Sequence, residues 1–433
     1  MEAERTLTSV KDGRLRANVS AGWLASLVDV HGFWALTDQG VVSLGNFATI
    51  IVLARALAPQ EYGTWAVIFG LLLFLNVLHA SLISYPLTLV VATGDEAESR
   101  SGFSVALGLT TLLSLPLGLV LISVTWLIGI PQVGLLTWLT LFAWQLQETT
   151  RRTLIARFSC RKAVYGDAVS YLLQAAILWW LWRNGELTLA RSFAVLAATY
   201  FVAAIVQALQ LGRLLNRPSV NLKRAREFWN TGRWVLWSNL VTNFSIQAVP
   251  WALFLFRGPV EAAAFQAISN LQGVAHPVML SLGNVVVPAA ARARAKEGLG
   301  AARRVAFKYA AQGGLLLLPF FAAQLVYPRQ LLGIFYGAGS AYVVLDSALR
   351  FLTVAYAMHY LSLSVKFLLN ALEENRGQFV AELSGSIVLA ITVVPLVMFF
   401  GLRGAIFVTT AWLGIRLIGN LITLRRVFGS RFA

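Results

Sequence analysis

The chain alternates long apolar segments with short polar ones, and this pattern predicts its fold. Each apolar segment is about 20 residues long, the length that an α-helix needs to cross roughly 30 Å of hydrocarbon. Transmembrane strands would instead show about ten residues of alternating polarity. We therefore predict an all-α integral membrane protein with about twelve transmembrane helices, near residues 35–55, 64–92, 103–127, 133–150, 164–183, 190–211, 234–256, 262–288, 305–327, 344–370, 379–400 and 403–424.

The composition and the charge distribution support a membrane protein and predict its orientation. Of the 433 residues, 58% are hydrophobic and only 12% are charged, against about 25% charged in soluble domains. The net charge of +16 could indicate a nucleic-acid ligand, but most basic residues fall in every second loop. This positive-inside pattern places both termini and the basic loops in the cytoplasm, without a nucleic-acid partner. The polar N-terminus runs into a full-length span, which predicts no cleavable signal peptide.

The longest basic segment between spans divides the chain into two halves of six spans. We predict two six-helix lobes around a central cleft, with boundaries at 1–34 (cytoplasmic segment), 35–211 (N-lobe), 212–233 (linker), 234–424 (C-lobe) and 425–433 (tail). The pairs Asn46-Phe47 and Asn243-Phe244 hold matching places in spans one and seven. They favour an internal repeat about an axis along the membrane normal, and chance similarity of two apolar helices is the alternative.

Several predicted spans carry polar side chains at helical spacing, so that each set shares one face. Polar groups at this depth usually face a bundle interior or a water-filled cavity. Interhelical hydrogen bonding is the alternative for any single amide, but stripes on several spans favour a wet central cleft. The residues that we predict to line the cleft are Gln39, Asn46, Asn239, Asn243, Gln247, Gln266, Asn270, Asn284 and His359.

Three charged residues within predicted spans have two interpretations each. Asp38 is either a favourable charge at a helix N-terminus or a carboxylate that binds a proton or a sodium ion. Lys366 either extends to the inner surface or holds phosphate. Arg416 either reaches a partner such as Glu382 or faces the cleft. The sequence alone leaves these alternatives open.

Motifs for catalysis or cofactor binding are not found in the sequence. No His, Cys and Asp cluster has metal-ligand spacing, and no glycine-rich phosphate loop follows a strand. Cys160 is the only cysteine, so the chain forms no internal disulfide. We therefore expect a protein that is not an enzyme, with no cofactor and no metal, and any active transport would draw on an H⁺ or Na⁺ gradient or on a downstream sink.

The stretch LTDQGVVSLGNFATIIVLARALAPQEYGTWAV at 36–67 resembles the first two spans of polysaccharide flippases. These belong to the multidrug/oligosaccharidyl-lipid/polysaccharide exporter (MOP) superfamily. Residues 151–175 also resemble the loop between spans four and five of that family. The first motif combines an Asn-Phe pair, an Ala-Arg pair, a proline, an acid, an aromatic residue and a glycine, here Asn46, Phe47, Ala54, Arg55, Pro59, Glu61, Tyr62 and Gly63.

The resemblance implies alternating access, by which an undecaprenyl-diphosphate-linked oligosaccharide moves to the periplasmic leaflet of a bacterial inner membrane. It also implies H⁺ or Na⁺ coupling at Asp38. Besides the lipid-linked substrate and membrane lipids, a polysaccharide polymerase and export machinery are expected partners. Two alternatives stay open: a small-molecule cation antiporter of the multidrug branch, and a membrane polysaccharide polymerase with catalytic residues on outer loops. Basic candidates for the diphosphate, near the cytoplasmic mouth, are Arg151, Arg152, Arg157 and Lys366.

Overall fold

The computed structural model describes residues 30–215 and 217–429, which are almost entirely helical. Residues 1–29 of the predicted N-terminal segment and 430–433 of the tail lie outside the described part. A short outer helix, Pro328–Tyr336, precedes the tenth long helical stretch. The twelve long stretches are α1 Val30–Ala56, α2 Pro59–Thr93, α3 Glu96–Leu127, α4 Gly134–Ala156, α5 at 160–183, α6 Leu189–Leu211, α7 Leu222–Arg257, α8 Pro259–Gly273 with His276–Glu297, α9 Leu299–Val326, α10 Asp346–Ala371, α11 at 375–400 and α12 at 402–429.

Most of these helices satisfy the requirements for crossing a membrane. Within the described ranges, 8 helices are long and apolar enough, and α8 makes a ninth span across its 44° bend. The 55-residue helix Asn375–Gly429 holds two spans, because Gly401 adopts φ 54° and the chain then runs back along itself. A side chain at Gly419 would meet Ala381, which shows that α11 and α12 are antiparallel neighbours. The chain is a multi-pass membrane protein, and the predicted all-α fold of two six-helix lobes is confirmed.

Proline and glycine shape the outer turns that lead into α2 and α8. Pro59 and Pro259 are the first residues of these helices, where the missing N–H of proline costs no hydrogen bond and its fixed φ suits the helix. Gly258 has φ 92°, a conformation that residues with a Cβ rarely adopt. Both halves of the chain therefore make their first outer turn with a proline at the helix start.

The two lobes share an apolar core at the outer side of the membrane, and α2 and α7 also contact each other further toward the inner side. Twelve crossings place both ends of the described chain on the same side, which we call inner and predict to be cytoplasmic. On the outer side one apolar core is shared, for example by Leu53 of α1, Tyr62 of α2, Ala267 of α8 and Leu349 of α10.

The inner halves of the lobes have separate cores. One core is formed by residues of all five helices from α2 through α6, and it includes Phe228 from the first turns of α7. The other joins α8, α9 and α10, with partly buried residues of α12 against it. Since only the outer core is shared between α1 and α8, the cleft between the lobes faces the inner side.

Candidate functional site

Five charged residues, four of them largely buried, form a group in the inner half of the N-lobe, which we call the N-lobe cluster: Asp38, Glu148, Arg151, Arg152 and Asp167. Arg151 donates hydrogen bonds to Asp38 Oδ2 and to Asp167 Oδ2, each at 2.6 Å. It also lies 3.5 Å from Glu148 Oε2, while Arg152 donates to Glu148 Oε1 at 2.5 Å. Arg151 and Arg152 lie three and four positions after Glu148 on α4, so both can reach its carboxylate. Three carboxylates thus face two guanidinium groups.

The carboxylates of this cluster are not equally satisfied. Asp167 Oδ1 accepts hydrogen bonds from the amides of Gln147 at 2.8 Å and Gln207 at 3.0 Å, and its other oxygen accepts from Arg151. Asp38 is 5% exposed, and its Oδ1 has no partner among the described residues. Asp38 is therefore the acid with an oxygen still available for a proton or a cation.

Arg152 and Arg157 are exposed at the inner end of α4. The Arg152 side chain is 46% exposed, and Arg157 is exposed just after the last turn of α4. Arg151 is different, because its guanidinium already contacts three carboxylates. The assignment of these arginines to a diphosphate stays a prediction, and the geometry gives Arg152 and Arg157 the better access.

His79 is a buried polar residue near this cluster that sequence reasoning missed. It is 0% exposed, and its Nε2 lies 3.1 Å from the hydroxyls of both Thr110 and Thr149. Its Nδ1 lies 3.3 Å from the hydroxyl of Ser84. A π-helical turn at Ala80–Ser84, with its i to i+5 bonding, brings Ser84 below the imidazole ring. Hydroxyl groups both donate and accept, so this cage suits either protonation state of the ring.

A second π-helical turn directly follows the buried acid of α5. Asp167 ends the α-helix Cys160–Asp167, and the π turn runs from Ala168 to Leu173. Such turns are rare and frequently lie at functional sites. Both π turns described in this chain belong to the N-lobe, each begins next to a buried titratable side chain, and neither leaves a hydropathy signal that could have predicted it.

The C-lobe holds a smaller charged group, the C-lobe cluster, formed by Lys366 of α10, Glu382 of α11 and Arg416 of α12. Arg416 pairs with Glu382 Oε2 at 2.6 Å, which is one of the two alternatives for this residue, and lies over the Trp412 ring at 5.0 Å. Lys366 Nζ is 3.9 Å from the same oxygen, and its side chain is 34% exposed. Arg416 Nε and Glu382 Oε1 have no partner in the described chain. Two cations here face one carboxylate.

Further polar side chains surround the C-lobe cluster. His359 packs edge-on against Tyr356, with ring centroids 6.0 Å apart, and its Nδ1 has no partner in the part of the chain described. Asn420 donates to the hydroxyl of Ser362 at 3.0 Å, and its side-chain oxygen is similarly unpartnered. The predicted placement of His359 and Lys366 on one face of α10 is consistent with this arrangement.

The predicted polar stripe of α7 lies against α2 of the other lobe. Asn239 donates to the hydroxyl of Ser81 at 3.1 Å, and Asn243 donates to the carbonyl of Asn239 at 3.0 Å. The Gln247 side chain occupies the space beside Gly70. In this state Asn239 and Gln247 contact the other lobe, and the contact of this stripe with substrate stays a prediction.

The polar residues of α8 also meet α2, closer to the outer side. Asn270 donates to the hydroxyl of Tyr62 at 2.7 Å, and Gln266 donates to Asn270 Oδ1 at 2.7 Å. The remaining predicted cleft residues are less engaged. Gln39 and Asn284 are exposed, and Asn46 is half-buried.

The motif that carries the family resemblance forms the outer seam between the lobes. Arg55 donates to the carbonyl oxygens of Ile334 and Phe335 at the end of the short outer helix, the latter at 2.6 Å. Gly63 lies directly against the carbonyl of Pro259 and leaves no room for a side chain. The motif therefore has a physical reason in this structure, which is closure of the outer side.

Solved structures share this fold, whereas no protein-family model and no curated protein matches the sequence. An inward-facing multidrug resistance MATE family transporter of the MOP superfamily gives a TM-score of 0.74 at 13% identity, over 92% of this chain and 99% of that one. The lipid II flippase MurJ, inward closed, gives 0.73 at 11% identity, over 91% and 87%. An outward-facing MATE transporter gives 0.61 at 13% identity, over 93% and 96%. The chain has the fold of MOP superfamily transporters.

Proposed function

We propose that this protein is an alternating-access flippase in a bacterial inner membrane. It moves an undecaprenyl-diphosphate-linked oligosaccharide from the cytoplasmic to the periplasmic leaflet for surface polysaccharide synthesis. The fold and the inner opening support a transporter, and the sequence motif supports the polysaccharide branch. The observation that carries the proposal is the excess positive charge of the C-lobe cluster, because a cationic site favours an anionic substrate.

The C-lobe cluster offers donors that suit a diphosphate. Lys366 is loosely paired with Glu382 and partly exposed, so it can exchange that carboxylate for a phosphate oxygen. The Nε of Arg416 is a second donor without a partner among the described residues. Hydrogen bonds from ionised Lys and Arg to phosphate are among the strong ones in proteins. Arg152 and Arg157, nearer the mouth, would meet the diphosphate first.

The N-lobe cluster suits the cation whose gradient drives the cycle. With every group ionised, its three carboxylates and two guanidinium groups would leave one negative charge in excess, and an unbalanced charge at membrane depth is costly. A proton or a sodium ion at Asp38 would balance it. Coupling at Asp38 is thus part of the proposal, and the open Oδ1 of this residue supports it.

A cation antiporter of the multidrug branch is the second candidate function. The acidic N-lobe cluster and the TM-score of 0.74 with a multidrug transporter favour it. A cationic drug, however, would be repelled by the uncompensated base of the C-lobe cluster. The charge of that cluster therefore makes the flippase the better conclusion.

A leaflet assay in the host tests this proposal. Cells that lack the protein should retain lipid-linked oligosaccharide on the cytoplasmic leaflet and lose the polymer, and the wild-type gene should restore both. Unpolymerised glycan on the periplasmic leaflet would instead indicate a polymerase and contradict the proposal. Ion-driven dye efflux without any glycan defect would establish the antiporter.

A further inference from the structure

A groove lies between the inner ends of α11 and α12, outside both charged clusters. Its volume is about 1300 Å³, and it is lined by three arginines and one acid. Arg376 and Glu374 come from the start of α11, while Arg425 and Arg426 come from the end of α12. The charged residues that line the groove therefore carry a net charge of +2.

Small side chains form the floor of this groove. Gly377 lies against Thr423, and Gly419 lies so close to Ala381 that an added Cβ would be 2.6 Å from it. The two helices thus approach each other almost backbone to backbone. From Gly377 to Ser384, which also lines the groove, the floor extends roughly 10 Å at the rise of an α-helix.

The walls of the groove are apolar and open to the surroundings of the bundle. Val380 is 58% exposed and Ile422 is 47% exposed, and both line the cavity. On a helical projection of 100° per residue, Glu382 of the C-lobe cluster lies roughly 150° away from the groove residues of α11. The groove therefore faces lipid, whereas the C-lobe cluster faces the bundle interior.

We propose that this groove binds an anionic phospholipid of the inner leaflet. The lipid phosphate contacts the three arginines, and an acyl chain lies along the floor of small residues between the apolar walls. Basic pockets between transmembrane helices on the cytoplasmic side are typical sites for anionic headgroups. The positive-inside rule explains basic residues anywhere along the inner surface, but it does not explain three of them above an apolar groove.

The lipid carrier of the proposed substrate has the same chemistry, a phosphate on an apolar chain. The orientation of the groove favours a phospholipid, because a substrate bound there would be on the far side of α11 from the cleft. Glu382 of α11 and Arg416 of α12 lie on the helix faces that point into the bundle. A lipid that holds these two helices together would therefore also stabilise the C-lobe cluster.

Native mass spectrometry of the purified full-length chain tests the site. The chain is titrated with phosphatidylglycerol, and phosphatidylcholine serves as the neutral comparison. Replacing Arg376, Arg425 and Arg426 with Gln should weaken phosphatidylglycerol binding at least about tenfold, the effect of losing about 1.4 kcal/mol. The matched control replaces three basic residues at the inner end of α8 with Gln, namely Arg292, Arg294 and Lys296, and should leave the binding unchanged.

Filling the groove without changing its charge distinguishes lipid binding inside the groove from nonspecific electrostatic attraction to the basic surface. Ser384→Leu, or Val380→Trp at the lipid-facing wall if the first variant folds poorly, should weaken phosphatidylglycerol binding to a similar degree. Equal losses in the two triple variants, with no effect of filling, would overturn the proposal in favour of a diffuse basic surface. Tighter binding of undecaprenyl diphosphate than of phosphatidylglycerol, lost on filling, would overturn it in favour of the substrate carrier. Neither result would change the outcome of the leaflet assay, so this proposal fails or stands independently of the flippase.

Discussion

The two charged clusters are built on corresponding helices of the two lobes, yet their charge balance is opposite. Arg151 lies five residues before the end of α4 at Ala156, and Lys366 lies five before the end of α10 at Ala371. Asp167 lies seven residues after the start of α5 at Cys160, and Glu382 lies seven after the start of α11 at Asn375. Each lobe thus places a base on its fourth helix and an acid on its fifth, which favours the internal repeat.

Beside this corresponding pair of base and acid, one further member of each cluster makes the difference. In the N-lobe it is the acid Asp38, which shares Arg151 with Asp167, so that the base is fully used and one acid is in excess. In the C-lobe it is the base Arg416, which takes Glu382 at 2.6 Å and leaves Lys366 at 3.9 Å. One exchange of sign turns a site that suits a cation into a site that suits an anion.

The largest expected effect comes from removing Arg151, the central base of the N-lobe cluster, and it should exceed the effect of removing Arg416 from the C-lobe cluster. Arg151→Met leaves Asp38 and Asp167 buried without a cation, and breaking a buried ion pair in this way costs about 3–5 kcal/mol. Arg416→Met should cost much less, because Lys366 remains beside Glu382. Thermal unfolding of the two purified variants measures the difference.

A double variant checks that uncompensated charge causes this effect. Arg151→Met combined with Asp167→Asn removes one base and one acid, and it should recover a large part of the lost stability. Equal destabilisation by Arg151→Met and Arg416→Met, or no recovery in the double variant, would contradict the difference between the clusters.

The loosely held base of the C-lobe should matter for transport more than for stability. Lys366→Gln removes a charged donor to phosphate, which is worth about 2 kcal/mol and therefore roughly thirtyfold in transport rate. Flipping of a fluorescent lipid-linked diphosphate in proteoliposomes measures it, with Lys366→Arg as the variant that should keep most activity. Normal flipping by Lys366→Gln would remove this residue from the substrate site.

The sequence predicts the helices of both lobes well, because membrane spans are determined by local apolar length. It offers the pair of Arg416 and Glu382 as one of two alternatives, since a base within a span needs a nearby acid, and only the structure decides between them. It does not predict that Arg151, a candidate for the diphosphate, is the centre of an ion cluster. Its partners lie on α1 and α5, and only tertiary packing brings those helices to α4.

The contribution of α2 is the main feature that sequence reasoning missed. The polar stripes of α7 and α8 are visible in the sequence as amide side chains at helical spacing. Their partners Ser81 and Tyr62 are isolated polar residues in the apolar helix α2, so no periodic pattern marks them. His79 is similar, because a lone histidine gives no periodic signal and the π turn that positions Ser84 changes the register by one residue only. Polar stripes therefore predict which faces are buried, but not which lobe they contact.

The excess acid of the N-lobe predicts a response to an ion gradient. An imposed potential of about 60 mV is worth about 1.4 kcal/mol per charge, or roughly tenfold in the distribution of a coupled substrate. Asp38→Asn removes the excess charge. The response to the potential should therefore disappear, while the substrate still exchanges between leaflets in the absence of a potential. Flipping in proteoliposomes with and without the potential measures it, and a full response in Asp38→Asn would place coupling elsewhere.

The smallest effect should come from a contact that joins the lobes but belongs to neither cluster. Tyr62→Phe removes the bond from Asn270, worth about 1 kcal/mol, and this bond exists only while the outer side is closed. The inward-facing population should therefore fall roughly fivefold relative to outward-facing states. Spin labels at Gln132→Cys and Val344→Cys, in a Cys160→Ser background, report the outer distance between the lobes.

Tyr342→Phe provides the matched control for this contact. Tyr342 packs against Tyr62 with ring centroids 6.1 Å apart, and its hydroxyl has no hydrogen-bond partner in the described residues. Losing that hydroxyl should leave the distance distribution unchanged. If both variants widen the outer distance equally, aromatic packing at the seam, rather than the hydrogen bond between Tyr62 and Asn270, is what closes the outer side.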